Sequence, residues 1–308
     1  MWPKLGAKFE DGWMAVVRRD ERLDIAHVIS TAGQRPKIKA LESFKLERDE
    51  LDALSRLAQG KQLKRFRCTT LLVEGEYQLA QLDALNVPDE ERLQALRWRL
   101  KDMVDFPVES AALGVVDFPS QPGRPGGIFA VAAAQDVVGQ RMAAFDQAKL
   151  RLEAIDIPEL ALRNVAALFE ESNRGLAFLA LSKGASLLTI TYQGELCLSR
   201  RIEMSPEALA SEDPERRQQM LERLALELQR TLDTFDRQYS FISVSRLMVA
   251  TEYDSAGLVA GLADNLYVPV QAMDLAQVAD FDSLPELRQL ERQAQGLLAI
   301  GAALRTAA

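Results

Sequence analysis

Acid-base, nucleophilic and metal chemistry each need particular side chains at particular spacings, and this sequence holds few of them. His27 is the single histidine in 308 residues, which excludes a histidine-rich metal site and leaves one candidate for an imidazole base. It stands in the strand-like run Leu23 to Ile29, where a structural histidine is the expectation. Two acidic clusters, Asp89-Glu90-Glu91 and Glu212-Asp213-Pro214-Glu215, supply carboxylates that a cation might use. Each lies where a helix begins, and negative charge there offsets the helix dipole, so both are read as helix starts. Cys68 and Cys197 lie far apart in apolar segments, as buried small hydrophobes do rather than a disulfide or a metal pair. No Gly-x-Ser-x-Gly elbow, Walker loop or Cys-x-x-Cys pair occurs, so hydrolase, P-loop and zinc chemistry have no motif.

The bulk properties narrow the classes further. The chain has 48% hydrophobic and 27% charged residues, a formal net charge of -8 and an isoelectric point near 5.0. That is ordinary globular composition, and the acidic balance disfavours nucleic acid, whose phosphates call for lysine and arginine gathered on one face. The one locally basic run, Lys61-Gln62-Leu63-Lys64-Arg65-Phe66-Arg67, reads as a solvated loop. Met1-Trp2-Pro3-Lys4 carries no signal-peptide pattern, and no apolar run approaches the ~20 residues of a membrane helix. A cytoplasmic protein reaching the inner face of the membrane only through a partner is expected. Its length exceeds what one core usually organises, so two domains, or one divided by a cleft, are expected.

The elements that would position a site follow from periodicity. Leu5 to Phe9 and Trp13 to Val17 flank Asp11-Gly12 as a hairpin would, and Leu23 to Ile29 gives a third strand. The polar stretch Ser30 to Pro36 breaks the pattern. Leu51, Leu54 and Leu57 recur at helical spacing before Gly60, and Cys68 to Val73 reads as a buried strand. Then come a strand at Tyr77 to Leu82 and a helix from Asn86-Val87-Pro88 through Leu93, Leu96, Leu100 and Val104, stopped at Phe106-Pro107. Trp98 and Phe106 are expected in the core. Strands at Ala111 to Phe118 and Ile128 to Ala134 and a helix from Asp136 to Leu150 close the half, and the second half begins with a strand from Leu152 ending in Pro158 and a helix through Leu168. The second half repeats the opening order: Gly175 to Leu181, Ser186 to Tyr192 and Leu196 to Ile202, then a helix with Leu221, Leu224, Leu228, Leu232 and Phe235 on one face, then Leu247 to Ala250. Strand-strand-strand-helix-strand in each half predicts an α/β chain with mixed sheets, a duplicated ribonuclease-H-like or actin-like fold of two domains with a cleft.

Three segments resemble the PilM/MshI family of type IV pilus biogenesis proteins, within the actin-like ATPase superfamily; MshI serves mannose-sensitive haemagglutinin (MSHA) pili. They are Leu96 to Glu109, with its Phe106-Pro107 exit; Leu228 to Asp233 with Arg246 to Ala250, Ala256-Gly257-Leu258 and Val268-Pro269-Val270; and Leu298 to Leu304. The resemblance implies that residues 1–158 and 293–308 form the first actin-like domain, with an inserted subdomain at about 77–150, and that 159–292 form the second. It also implies a partner, the cytoplasmic tail of an inner-membrane protein resembling PilN or MshJ, seated between the first domain and its insert.

Family members that bind ATP with magnesium carry an Asp-x-Gly turn at each phosphate-binding hairpin and a Gly-Gly where adenosine approaches the backbone. Here the matching positions read Lys4-Leu5-Gly6, Ser182-Lys183-Gly184 and Ala250-Thr251. A lysine cannot take the place of a carboxylate beside a magnesium-phosphate group, and side chains at Ala250 and Thr251 would crowd a close approach. Asp11-Gly12 is an alternative source of the first carboxylate, though such a pair is above all a hairpin turn. The expectation is a pseudo-ATPase scaffold without catalytic residues, metal or cofactor, whose degenerate nucleotide site comprises Lys4, Gly6, Ser182, Gly184, Ala250 and Thr251. An active ATPase or kinase of the same fold is the first alternative. A cytoplasmic domain resembling GspL of type II secretion is the second, although such proteins run on into a membrane helix where the present sequence stops at Ala308.

Overall fold

Trp13 to Val17 is an unbroken apolar run, and a strand covered on both faces is what such a run makes. The computed structural model describes residues 10–46, 50–60, 63–85, 87–119, 126–182, 186–204, 209, 213–253 and 255–305, and it sets this run in β1 (Trp13–Arg19), with all five side chains buried. β1 turns at Asp20-Glu21, with Asp20 at φ 52°, into antiparallel β2 (Arg22–Ile29). β3 (Lys37–Lys45), α1 (Glu50–Gly60) and β4 (Arg67–Leu71) follow, and β4 lies parallel to β1. Next come β5 (Tyr77–Asp83), α2 (Asp89–Leu100), β6 (Ala112–Asp117), β7 (Gly127–Ala133), α3 (Gln135–Gln147) and β8 (Arg151–Asp156), which pairs parallel with β4. The first large sheet has the order β3-β2-β1-β4-β8, and β5-β7-β6 form a sheet of their own.

After α4 (Pro158–Ala166) the pattern recurs as β9 (Gly175–Leu181), β10 (Ser186–Tyr192), β11 (Glu195–Ile202), α5 (Pro214–Gln238), β12 (Val244–Thr251), α6 (Ser255–Ala263) and β13 (Val270–Ala272). Its sheet order is β11-β10-β9-β12-β13. Position for position this repeats the first sheet, with an antiparallel first hairpin and parallel pairing of the first strand with the fourth and the fourth with the fifth. α7 (Leu290–Gln295) and α8 (Leu297–Ala303) end the chain's helices. One compact unit comprises Met1–Gln34, Ile38–Pro158 and Ala302–Ala308, the other Arg35–Lys37 and Glu159–Gly301.

Within the first unit, α1 and α3 cover one sheet face, where Met14, Val16, Leu23, Ile25, Leu54, Cys68 and Phe145 pack together. In the second unit one helix alone, α6, joins the fourth strand to the fifth, so α3 is its counterpart. The additional material is therefore the stretch from β5 to β7, which closes a small core of its own around Leu96, Leu100, Val108, Ile128 and Ala130.

Several boundaries differ from the sequence expectation. The run Leu5 to Phe9 lies outside the described residues. Asp11-Gly12 precedes β1 instead of joining two described strands. Gly12 is needed because its φ is +86° and a Cβ would stand 2.2 Å from the Val28 carbonyl oxygen. β3 is an unforeseen strand: Lys37, Lys39 and Lys45 mask its alternation, as charges do on sheet edges. α2 ends at Leu100, short of Phe106. Trp98 is 78% exposed rather than core, because on a helix it points opposite the buried Leu96 and Leu100.

Burial of Cys68 pushes its thiol up to about 12, helped by the charge of Glu153, and Cys197 is raised by burial, then by Glu170 and Glu195. Neither supplies a thiolate near neutral pH. Small residues close the α4–α8 contact, where a Cβ on Gly301 would fall 2.2 Å from the Ala161 carbonyl oxygen. Gly301→Ala should therefore destabilise the fold by about 2 kcal/mol or more. Gly139→Ala, in open space on α3, should stabilise it by about 0.5–1 kcal/mol. Urea unfolding of the two variants checks both signs.

Candidate functional site

In open sheets with parallel strands, ligands are taken at the carboxyl ends of those strands. In the second unit these ends belong to β9 and β12, whose register sets Ala180 beside Ala250 and Leu181 beside Thr251. Ser182 directly follows Leu181, so the structure brings Ser182, Ala250 and Thr251 to one edge. Ala250 and Thr251 are buried. The Thr251 hydroxyl accepts a hydrogen bond from the Tyr253 backbone N–H at 3.2 Å, closing the turn that leads toward α6. Lys4, Gly6 and Gly184 lie outside the described residues.

The corresponding edge of the first unit is built from charges. Continuing the Ala15–Thr69 register sets Arg18, at the end of β1, just past the end of β4. The position there that answers to Ser182 is thus an arginine. Its hairpin is tight: Arg19 pairs with Arg22 across the two turn residues Asp20 and Glu21. Arg19 Nε donates to Asp24 Oδ2 at 2.6 Å, and Ser43 Oγ donates to the other Asp24 oxygen. Arg18 Nη1 lies 3.9 Å from Glu50 Oε2, in the first turn of α1. The other Glu50 oxygen accepts from Arg141 Nη1 at 2.8 Å, and Arg141 Nη2 donates to both oxygens of Glu76 at 2.9 and 2.8 Å. Glu76 Oε2 in turn accepts from the Val73 backbone N–H at 2.9 Å, tying off the loop after β4. Arg141, on α3, is buried.

Arg18, Glu50, Glu76 and Arg141 therefore form one chain of charges across the edge, drawn from four elements. Arg141 thus answers two carboxylates, one from each terminal nitrogen, and hydrogen bonds between ionised partners are the strong ones. These carboxylates answer the guanidiniums and leave little field for an incoming cation. Among the described residues no three His, Cys, Asp or Glu side chains converge as metal ligands do. Sequence reasoning missed this network because its members are distant in the chain. Arg18 could have been found: the charged run Arg18 to Arg22 separates two apolar runs, which is a hairpin signal.

The remaining candidates are structural. His27 Nε2 lies 2.8 Å from the Asp11 carbonyl oxygen, and its ring meets Phe66 edge-on at 4.7 Å. Asp213 caps α5, its Oδ1 accepting from the backbone N–H groups of Glu215 and Arg216 at 3.0 and 3.3 Å; Glu212 lies outside the described residues. Asp89-Glu90-Glu91 opens α2. Arg67 and Arg305 lie over the Trp13 ring at 5.0 and 5.8 Å, and Arg305 pairs with Asp156. Among the described residues no helix is long and apolar enough to cross a membrane.

No protein-family model and no curated protein matches the sequence. Solved structures do align with it. The PilM-PilN type IV pilus biogenesis complex matches with a TM-score of 0.72 at 22% identity, over 96% of this chain and 98% of that chain. A Bacteroides thetaiotaomicron protein with actin-like ATPase fold and unknown function matches with a TM-score of 0.51 at 9% identity, over 94% and 99%. The cytoplasmic domain of EpsL, an inner membrane component of the type II secretion system of Vibrio cholerae, gives 0.48 at 12% identity, over 92% and 94%, too loose a likeness to argue from. At these identities the likeness is one of fold: the chain has the two-domain, mixed α/β architecture of the actin-like ATPases.

Removing one partner of a buried pair strands the other charge. Arg141→Met should lower the unfolding free energy by about 3 kcal/mol, the low end for such a loss because Glu50 and Glu76 keep some access to water. Adding Glu76→Gln to that variant should restore part of it. Urea titration of the single and double variants measures both.

Proposed function

We propose that this chain is a non-enzymatic cytoplasmic scaffold of type IV pilus biogenesis, of the MSHA type, that binds the cytoplasmic tail of an inner-membrane protein resembling PilN or MshJ. The observation that carries the proposal is the end-to-end likeness to the PilM-PilN complex, in which both units and the insert are aligned within 96% of this chain. The chain's insert also offers what a tail needs to dock against. Leu93, Trp98 and Met103 are exposed apolar side chains on α2 and the turn after it, and a solvent-facing tryptophan is a frequent anchor of binding energy.

The pseudo-ATPase part of the proposal is supported by the first unit's edge. A wide phosphate-binding loop presents free backbone N–H groups to its ligand. Here the hairpin is a two-residue turn with Arg18 and Arg19 at its base, and the neighbouring carboxylates Glu50 and Glu76 are engaged by Arg141. The second reading, an actin-like ATPase or kinase, keeps one observation in its favour: Ser182 and Thr251 meet at a carboxyl edge where ligands of open sheets bind.

Both parts are tested on the purified full chain. A synthetic peptide of the cytoplasmic tail, taken from the membrane protein encoded beside this one, should bind saturably in calorimetry, and Trp98→Ala should weaken it by about 2 kcal/mol, some thirtyfold. Absence of binding to that peptide would falsify the scaffold assignment. Magnesium-ATP should leave the melting temperature unchanged. A bound nucleotide at a hundred times its Kd would add about 2.7 kcal/mol, and such a shift would favour the ATPase reading.

A further inference from the structure

α5 is 25 residues long, roughly 37 Å at 1.5 Å per residue. Leu224, Leu228, Thr231, Leu232 and Phe235 form its buried face. Facing away from them are Arg216, Arg223, Arg230 and Arg237, one every seventh residue and all exposed. Seven residues bring a helix back to within about 20° of its starting direction. The four arginines therefore fall in a sector of about 60°, with neighbours about 10.5 Å apart along the axis.

Among the described residues, the side chains of Arg216, Arg223 and Arg230 have no ion pair or hydrogen bond. Arg237 donates only to its own helix, to the Asp233 carbonyl oxygen at 3.1 Å and the Thr234 hydroxyl at 3.5 Å, so its charge is not neutralised. The helix also carries Glu215, Glu222, Glu227, Asp233 and Asp236. At 100° per residue, Glu215, Glu222, Asp233 and Asp236 fall together on one flank of the arginine line. Glu227 falls on the other flank, 3.5 Å from Arg200 Nε. Charge is thus sorted by face: a chain of net charge -8 presents a row of four guanidiniums that form no ion pair among the described residues, bordered on one side by four carboxylates.

The residues beside that line decide what it meets. Gln219, Leu226 and Asp233 stand next to it on its acidic side, and of these only Leu226, 47% exposed, is apolar. A packed protein interface needs an apolar core, which one leucine does not make. Attraction to an anionic bilayer needs none, only several basic side chains within a Debye length of its surface. We propose that this face of α5 binds an anionic phospholipid surface, its guanidiniums reaching the headgroup phosphates. The proposal is independent of the pilus reading, since it uses no relative and no partner.

The test is co-sedimentation of the full chain with vesicles. Those of phosphatidylethanolamine with phosphatidylglycerol should carry the protein down at about 0.1 M salt, where the Debye length is about 10 Å, and release it at 1 M, where it is about 3 Å. Vesicles of phosphatidylcholine alone should leave it in solution. Each guanidinium near an anionic surface is worth a factor of roughly five in partition, so replacing all four by glutamine should reduce partition by two orders of magnitude or more. A control with the same change of charge, Lys39, Lys64, Arg99 and Lys101 each replaced by glutamine, should stay within about fivefold of the parent. Circular dichroism melts establish that both variants are folded. The proposal is overturned by no sedimentation at low salt, by equal partition onto neutral vesicles, by an equal loss in the control, or by capture on immobilised polyglutamate without capture on vesicles, which would point to an acidic protein partner instead.

Discussion

A parallel strand pair cannot be joined by a tight turn; the chain must cross the sheet before it returns. That constraint governs this protein four times over, at β1 with β4, β4 with β8, β9 with β12 and β12 with β13. Each crossover supplies a helix, and the helices bury the sheets, which is why the central strands are apolar on both faces. Within each unit the same constraint puts the ends of the first and fourth strands side by side. A site of this fold is therefore assembled from residues at or just after strand ends: Arg18 is next to last in β1, Thr251 is last in β12 and Ser182 follows β9. The crossover after β4 takes a long addition at small cost, since loop-closure entropy grows slowly with length. The stretch from β5 to β7 occupies that crossover and packs a core of its own.

The charged edge of the first unit follows from this geometry. Arg18 is next to last in β1, Glu50 opens α1, Glu76 closes the loop after β4 and Arg141 lies on the helix that leads to β8. These are the four chain segments that the crossovers bring to one place. An isolated buried Arg141 would be costly, and one carboxylate would leave part of its fork unanswered. With Glu50 and Glu76 both engaged, the guanidinium is held on two sides, and Val73 is held through Glu76. The ion pairs fix how α1, α3 and the β4 loop sit against one another, a specifying role for buried charge that need not add net stability.

Strand order was legible in the sequence wherever strands are covered on both faces. Trp13 to Val17 and Gly175 to Leu181 announce themselves as apolar runs, and the three strands, helix and strand of the second half are plain in the sequence; in the first half the same count rests on Leu5 to Phe9, outside the described residues, and lacks β3. β3 was not legible, because an edge strand carries lysines that break its alternation. Trp98 was misplaced because burial was inferred from residue type, whereas its helical phase relative to Leu96 and Leu100 sets it outward. At the candidate site, the meeting of Ser182 with Ala250 and Thr251 could be anticipated from element order. The partnership of Arg141 with Glu50 and Glu76 could not, since the pairs span 91 and 65 residues and nothing local marks one charge as the partner of another.

The same comparison explains why the two edges of this fold differ in character. Both begin from the same strand order, so the backbone frame does not distinguish them. In the second unit the residues at the edge are small or hydroxylated, and Thr251 spends its hydroxyl on a local turn. In the first unit the hairpin has contracted to two residues, and the space near its base is bridged by side chains reaching from α1 and α3. A contracted hairpin has few backbone donors to offer an anion, and bridged carboxylates have little left to offer a cation. The physical chemistry of the first edge is that of a fastening between elements. Glu76 and Arg141 stand just before and just after the stretch from β5 to β7, so their pairing also ties together the two points where that stretch leaves and rejoins the first sheet.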